Sequence, residues 1–378
     1  MHLTKRTYVD PKKAWLIRLA AFGSGMLVCG LIAFLLIGKL QSNPGKIGDF
    51  YYSFIKGSFA SEYKIWRFLK NVAILLCISL ALTPAFRMRF WNIGGEGQTL
   101  VGVLAAIAVE FYLGGVIPDW SLRILMVIAA LTAGAVWALI PAVFRSIWGT
   151  NETLFTLMMN YVAAFLVSFF LMIWVPNGSA SLPAMEHETL PNIFWAQNPN
   201  DYRNDYLLIV LIAAALTAGL YVYLKYTKHG YEISVVGESV RTAQYVGISE
   251  KKVILRTMIL SGALCGLAGY LIACLDQTVT DVSAGGQGFT AIMVSWLGKF
   301  NPLAMLLTAS LIEFLNQGAA QISSSFEVRG ALPNVITGVM LFFIIGSEFF
   351  INYQLHKRRG KHDEVLKAAA EAGKEEQK

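Results

Sequence analysis

The residues best placed to do chemistry stand at the mouths of apolar runs. Phe90–Ala106 reads FWNIGGEGQTLVGVLAA, with Glu96, Asn92 and Gln98 set among glycines just ahead of a segment of membrane quality. A carboxylate at the centre of a bilayer costs about 2.5–3.5 kcal/mol on insertion scales and is tolerated where it faces a bundle interior or a wet cavity. At a helix N-terminus it recovers roughly 0.3–1 kcal/mol from the free N–H groups and the helix dipole. Two roles follow. Glu96 and Asn92 cap and lock the start of a helix, or Glu96, Gln98 and Asn92 line a polar path through the bundle.

A second polar mouth, Trp148-Gly149-Thr150-Asn151-Glu152-Thr153, precedes the apolar run Leu154–Val175. Thr150 or Asn151 suits an N-cap, and Glu152 or Thr153 falls in the first turn. Asn160 and Tyr161 follow two turns later, inside the apolar run. Here too a cap with interhelical hydrogen bonds competes with a gate built from Asn151, Glu152 and Asn160. The third stretch is Gly230–Leu271. A short amphipathic helix over about 239–246, flanked by Gly237 and Gly247, leads through a basic turn into a segment carrying Gly262, Gly266 and Gly269. Glycines at this spacing let two helices approach closely. A helix that short has little stability of its own and makes sense docked on a partner.

Other chemistries lack their residues. There is no G-x-x-x-x-G-K-[ST] phosphate loop, no H-E-x-x-H and no nucleophile elbow. The four cysteines, Cys29, Cys77, Cys265 and Cys274, lie in or beside apolar runs without metal-site or redox spacing. No metal or cofactor is expected on this chain.

The elements that hold these residues must be membrane helices. Of 378 residues, 56% are hydrophobic and 15% charged, where a soluble domain carries roughly a quarter charged. The apolar residues come in runs of roughly 20, the length that crosses a hydrocarbon core of about 30 Å. Backbone in lipid must bond internally, so the spans are helices. The expectation is an all-α, polytopic integral membrane bundle with about ten spans, near 15–37, 67–86, 91–113, 121–144, 153–175, 206–224, 254–275, 287–299, 302–320 and 332–352. Residues 1–355 form this domain, and 356–378 a charged tail.

The net charge of +7 fits Lys and Arg gathered in cytoplasmic loops rather than nucleic-acid binding. Lys5, Arg6, Lys12 and Lys13, with Lys357, Arg358, Arg359 and Lys361, place both termini inside. Loop 39–66, with Lys39, Lys46, Lys56 and Lys64, runs against the pattern. The first apolar run is too long for a cleaved signal and stays as a span. Residues 176–205, rich in proline, form an outer cap.

An internal echo links the two halves. Gly94-Gly95-Glu96-Gly97-Gln98-Thr99 is matched by Gly285-Gly286-Gln287-Gly288-Phe289-Thr290, each opening an apolar helix. The spans are five apart, an odd offset that reverses orientation, so the copies suit an inverted repeat of the kind that flanks a transporter's midplane site. Segment 287–299 is too short to span unaided, as a half-helix would be.

Together these blocks resemble a family. Asn92–Gln98, Gly149–Thr153 with Leu157–Tyr161, and Gly288–Ile292 with Leu297–Pro302 are similar to blocks of bacterial ABC-importer permeases of the ribose, branched-chain amino-acid and nucleoside branch. The nucleoside branch resembles this chain best, and the likeness runs through most of residues 10–352. The hinged stretch resembles that family's coupling loop. It departs from the usual pattern where Glu238 follows Gly237 and Thr242-Ala243 stands for an alanine pair, while Tyr245-Val246-Gly247-Ile248 keeps the end.

The resemblance implies a plasma-membrane permease subunit that moves nucleosides by alternating access. Its partners are a separate ATP-binding subunit that holds ATP and Mg, a second permease and an extracellular substrate-binding lipoprotein. The coupling residues are Gly237, Glu238, Arg241, Ala243, Tyr245 and Gly247. The path residues are Asn92, Glu96, Gln98, Asn160, Gln287 and Phe289. The rivals are a permease for simple sugars such as ribose and an ion-driven transporter using Glu96, Glu110, Glu313 or Glu348. A membrane enzyme finds little support in five scattered histidines.

Overall fold

Apolar runs of bilayer length leave the backbone one economical way to satisfy its polar groups, and the computed structural model follows it. It describes residues 2–5, 11–37, 46–175, 181–183, 202–275, 278–327 and 331–356. Among these, the helices are α1 (Pro11–Leu36), α2 (Ile47–Phe59), α3 (Glu62–Arg87), α4 (Gly95–Leu113), α5 (Asp119–Trp148), α6 (Glu152–Trp174) and α7 (Tyr202–Tyr226). They continue with α8 (Lys228–Glu238), α9 (Val240–Tyr245), α10 (Glu250–Ala273), α11 (Gln287–Leu297), α12 (Pro302–Phe326) and α13 (Leu332–Asn352). Two short antiparallel pairings complete the list: β1 (His2–Lys5) with β4 (Tyr353–His356), and β2 (Leu182–Pro183) with β3 (Thr278–Val279).

Nine helices among the described residues are long and apolar enough to cross a membrane: α1, α3 to α7, α10, α12 and α13. The tenth expected span is α11, with 11 residues. At 1.5 Å per residue it covers about 16 Å, half of a hydrocarbon core. The large apolar side chains left on the outside suit lipid rather than water: Leu27, Phe165, Met172 and Phe342 are each at least 70% exposed. Most of the outer cap expected at 176–205, and the tail beyond 356, lie outside the described residues.

The chain divides into two compact units, residues 1–56 with 318–378, and residues 57–317, with boundaries inside α2 and α12. In the first, α1 packs on α13. Arg18 pairs with Glu348 at 2.6 Å, and the Cys29 thiol donates to the Ile336 carbonyl at 3.6 Å.

In the second unit α10 packs on α5, α4 and α3. The glycines foreseen as contact points are what makes this possible. A Cβ on Gly262 would strike the Gly134 carbonyl of α5, one on Gly266 the Ala130 carbonyl, and one on Gly269 the Thr99 carbonyl of α4. Three successive turns of α10 therefore rest backbone against backbone, a contact that in lipid rests on close van der Waals packing.

The stretch 225–253 differs from expectation. The spacing predicts one short helix between glycine hinges at 237 and 247, yet the stretch is helical almost throughout. Thr227 accepts from Gly230 N–H at 3.1 Å and caps an additional helix, α8. Gly237 is therefore no hinge. It lies in the last turn of α8, where an added Cβ would strike the Arg87 carbonyl at the end of α3.

Gly266→Val is expected to destabilise the purified chain by about 1–3 kcal/mol or more, read as a lower Tm in mild detergent. Gly219→Val, on a face of α7 where a Cβ meets nothing within 4 Å, serves as the control. Equal Tm values for the two variants would contradict the backbone-contact account.

Candidate functional site

Between α3 and α4 the chain is not helical, and most of the polar residues noted at this mouth serve that break. Arg89, at φ 59°, turns the chain in the left-handed region, and its N–H is held by the Phe86 carbonyl at 2.9 Å. Residues 90–93 are then non-helical and tightly turned, with Asn92 N–H to the Phe90 carbonyl at 2.9 Å and Ile93 N–H to the Trp91 carbonyl at 3.1 Å. Side chains from α6 supply further partners. Thr156 Oγ1 accepts from Ile93 N–H at 3.1 Å. Asn160 donates from Nδ2 to the Ile93 carbonyl at 3.0 Å and accepts at Oδ1 from Gly97 N–H at 2.9 Å.

Asn92 closes the other side. Its Oδ1 accepts from Gly94 N–H at 3.1 Å and from Gln98 Nε2 at 3.0 Å. Its Nδ2 donates to Gln98 Oε1 and to Ser261 Oγ on α10, both at 3.3 Å. Asn92, Gln98 and Asn160 are 0%, 1% and 5% exposed. All three amides are turned inward and used by the protein itself.

Glu96 caps, but not its own helix. Gly94 precedes α4 with no side-chain cap. The Glu96 carboxylate instead accepts from Gly286 N–H at Oε1, 2.8 Å, and from Gly288 N–H at Oε2, 2.7 Å. These are the first groups of α11. The expectation that Glu96 locks its own helix is corrected: the lock joins the two echoing hexamers. They also touch through backbone, since a Cβ on Gly288 would strike Glu96 N. The two N-termini thus meet across the Glu96 side chain. At the far end of α11, Trp296 lies against Trp91 and Phe300 stacks on Phe86, with ring centroids 5.2 and 6.0 Å apart.

Two expected residues remain open to other partners. Gln287 Oε1 is buried without a hydrogen bond, and the Phe289 ring is 41% exposed.

At the second mouth Asn151 is the N-cap of α6, accepting from Leu154 N–H at 3.2 Å. Glu152 faces Arg145 at 3.3 Å, and the same guanidinium donates to the carbonyls of Gly149 and Thr150. The corner between α5 and α6 is thereby fixed.

The α8–α9 elbow lies beside this corner. Ser239 caps α9 by accepting from Thr242 N–H at 3.3 Å. Ala243 is fully buried, and Tyr245 is 94% exposed. Gly247, at φ 81°, lets Ile248 N–H return to the Ala243 carbonyl at 2.9 Å. Glu238 and Arg241 face outward. Arg256 reaches back from α10 to Glu232 of α8 at 2.8 Å, and this bond holds the Glu232 carboxyl below the usual carboxylate range. A cavity of about 160 Å³ opens here, with Arg89, Arg145, Glu152 and Glu238 in its wall.

The remaining candidate acids are Glu313, Glu348 and Glu110. Glu313 accepts from Asn71 at 2.7 Å and Gln317 at 3.1 Å. Glu348 is paired with Arg18. Glu110 is buried on α4. Sequence reasoning missed Thr156, Ser261 and the whole of α8. A Thr one turn before Asn160 was the available sign of the first.

The model of a protein family described as branched-chain amino acid transport system permease component matches residues 65–345. The chain belongs to this family. Over 361 residues it is 29% identical to the glucose ABC transporter permease protein TsgB13 of Haloferax volcanii, covering 92% of this chain and 93% of that protein. It is 28% identical over 338 residues to the guanosine ABC transporter permease protein NupP of Bacillus subtilis, covering 89% and 95%. It is also 28% identical over 334 residues to the nucleoside ABC transporter permease protein NupB of Lactococcus lactis, covering 85% and 90%.

Asn160→Ala strands the Gly97 N–H and the Ile93 carbonyl in the interior, at about 1–3 kcal/mol for each unsatisfied group. Loss of the more accessible cap in Asn151→Ala costs about 0.5–2 kcal/mol. Thermal unfolding of the two variants should rank Asn160→Ala clearly lower; the reverse order would show that the break in the helix does not depend on Asn160.

Proposed function

We propose that the chain is the membrane-spanning permease subunit of an ATP-driven importer that carries nucleosides across the plasma membrane by alternating access. The observation that carries this reading is the pair of meeting N-termini: α4, following a broken segment, and the half-helix α11, joined through Glu96. In many transporters, discontinuous helices at the interface of two repeats form the solute site. Family membership and the printed functions of NupP and NupB support the solute class.

A nucleoside is neutral and rich in hydroxyls, and it is recognised by stacking surfaces and a few placed polar groups. The exposed Phe289 ring and the unpartnered Gln287 oxygen at the start of α11 offer one of each. The buried amides Asn92, Gln98 and Asn160 act behind them, holding the broken segment in place. Both termini lie in the cytoplasm. Energy enters through α9 from a separate ATPase, which holds ATP and Mg. Tyr245 inserts into that partner, with Arg241 and Glu238 around it. A second permease chain and an extracellular binding protein complete the importer.

The test is uptake of labelled guanosine, uridine and glucose by cells lacking this gene. Nucleoside uptake should fall, and the wild-type gene should restore it. Tyr245→Ala should restore little while reaching the membrane in equal amount, because truncating an interface anchor costs at least about 2 kcal/mol, roughly thirtyfold in partner affinity. Loss of glucose uptake alone would replace nucleosides by sugars. Uptake that survives ATP depletion and collapses with the ion gradient would reject the ATP-driven mechanism.

A further inference from the structure

Gly285 and Gly286 adopt left-handed φ of 60° and 73°, and Gln287 opens the right-handed helix α11. A left-handed residue followed by a right-handed one turns successive backbone N–H groups toward a common point, a nest suited to an anion. The helix N-terminus adds its own positive potential. In transporters built from broken helices, this is where the anionic group of a solute is held. Here the place is taken. Gly286 and Gly288 each donate to one oxygen of Glu96, at 2.8 and 2.7 Å, and Glu96 is 8% exposed. Gly288 lies so close to the Glu96 backbone that even a Cβ would not fit between them.

We propose that the Glu96 carboxylate is a built-in counter-anion of α11, filling the anion site from within the chain, and that the permease is thereby fitted to solutes without a carboxylate. The second clause rests on the reading of this chain as a solute path; the first stands on geometry alone. Glu96 acts as a positioning residue: it joins the two halves and withdraws two strong donors from the solute.

The experiment uses the full chain in lipid nanodiscs with ¹⁵N-glycine labelling and sodium formate as the probe. In Glu96→Ala the Gly286 and Gly288 amide signals should move, then return toward their original positions as formate is added, saturating in the millimolar range. Formate should also raise the Tm of this variant. The wild-type protein and Glu96→Gln, whose site is filled, should not respond. Formamide at the same concentration should do nothing.

An equal effect of formamide would overturn the anion requirement, and a formate response in the wild-type protein would show that the site is empty. A folded Glu96→Ala chain that ignores formate would overturn the proposal. If Glu96→Ala does not fold, Glu96→Gln decides it, because unchanged Gly286 and Gly288 amide signals there would overturn it too.

For the solute, inhibition of uridine uptake by uridine 5′-carboxylate in the assembled importer should strengthen about tenfold in Glu96→Ala, roughly 1.4 kcal/mol. Equal inhibition in variant and wild type overturns the second clause. A formate response without any nucleoside uptake, even by the wild-type importer, leaves the counter-anion in place and removes the nucleoside reading.

Discussion

A backbone that leaves the helical path between membrane spans must find every hydrogen-bond partner within the protein, and this requirement organises the second unit of the chain. The non-helical residues 90–93 satisfy only part of their backbone among themselves, and lipid cannot satisfy the rest. Asn160 serves one carbonyl and one N–H from opposite ends of its amide, Thr156 serves another N–H, and Asn92 bonds Gly94 while tying the segment to Gln98 and Ser261. A network of this kind has no spare member. Each amide is buried and fully engaged, so the break is a built feature of defined shape rather than a frayed helix end.

The packing around the break follows from the same constraint. Helices in lipid gain little from hiding apolar surface, so contact must come from fit. α10 achieves it with Gly262, Gly266 and Gly269 laid against the carbonyls of α5 and α4. That contact places Ser261 within reach of Asn92, so the glycine seam and the polar lock depend on one another. The α8–α9 elbow connects to the same region. Gly237 rests on the last carbonyl of α3, the helix whose end begins the break. The elbow and the start of the break are thereby in direct backbone contact.

Much of this was legible in the sequence, for identifiable reasons. Span positions follow from apolar run length, which is fixed by the bilayer. The short tenth segment showed itself as a half-helix by length alone. The Asn151 cap and the glycine seam follow from local spacing. The echo between 94–99 and 285–290 pointed to the right pair of helix starts. What the sequence could not show was which partner Glu96 would choose. A glutamate in the first turn ordinarily stabilises its own helix, and only the tertiary meeting of residues 190 and 192 positions apart redirects it. α8 was missed because Gly237 suggested a hinge, whereas Gly230 and Gly237 are both glycines for close backbone approach.

The two hexamers differ at two positions, and at one of them identity would be costly. Glu96 matches Gln287, and Gly288 beside Gln287 is in backbone contact with Glu96. Two carboxylates at this meeting point would repel one another in a medium of low dielectric, and one would have to take up a proton. Two amides would leave the nest at Gly286 and Gly288 without a charge to match it. One carboxylate and one amide satisfy the nest once and leave the amide free to serve another partner. The difference between the two hexamers is therefore the arrangement that lets two helix N-termini face each other with a single carboxylate bonded between them.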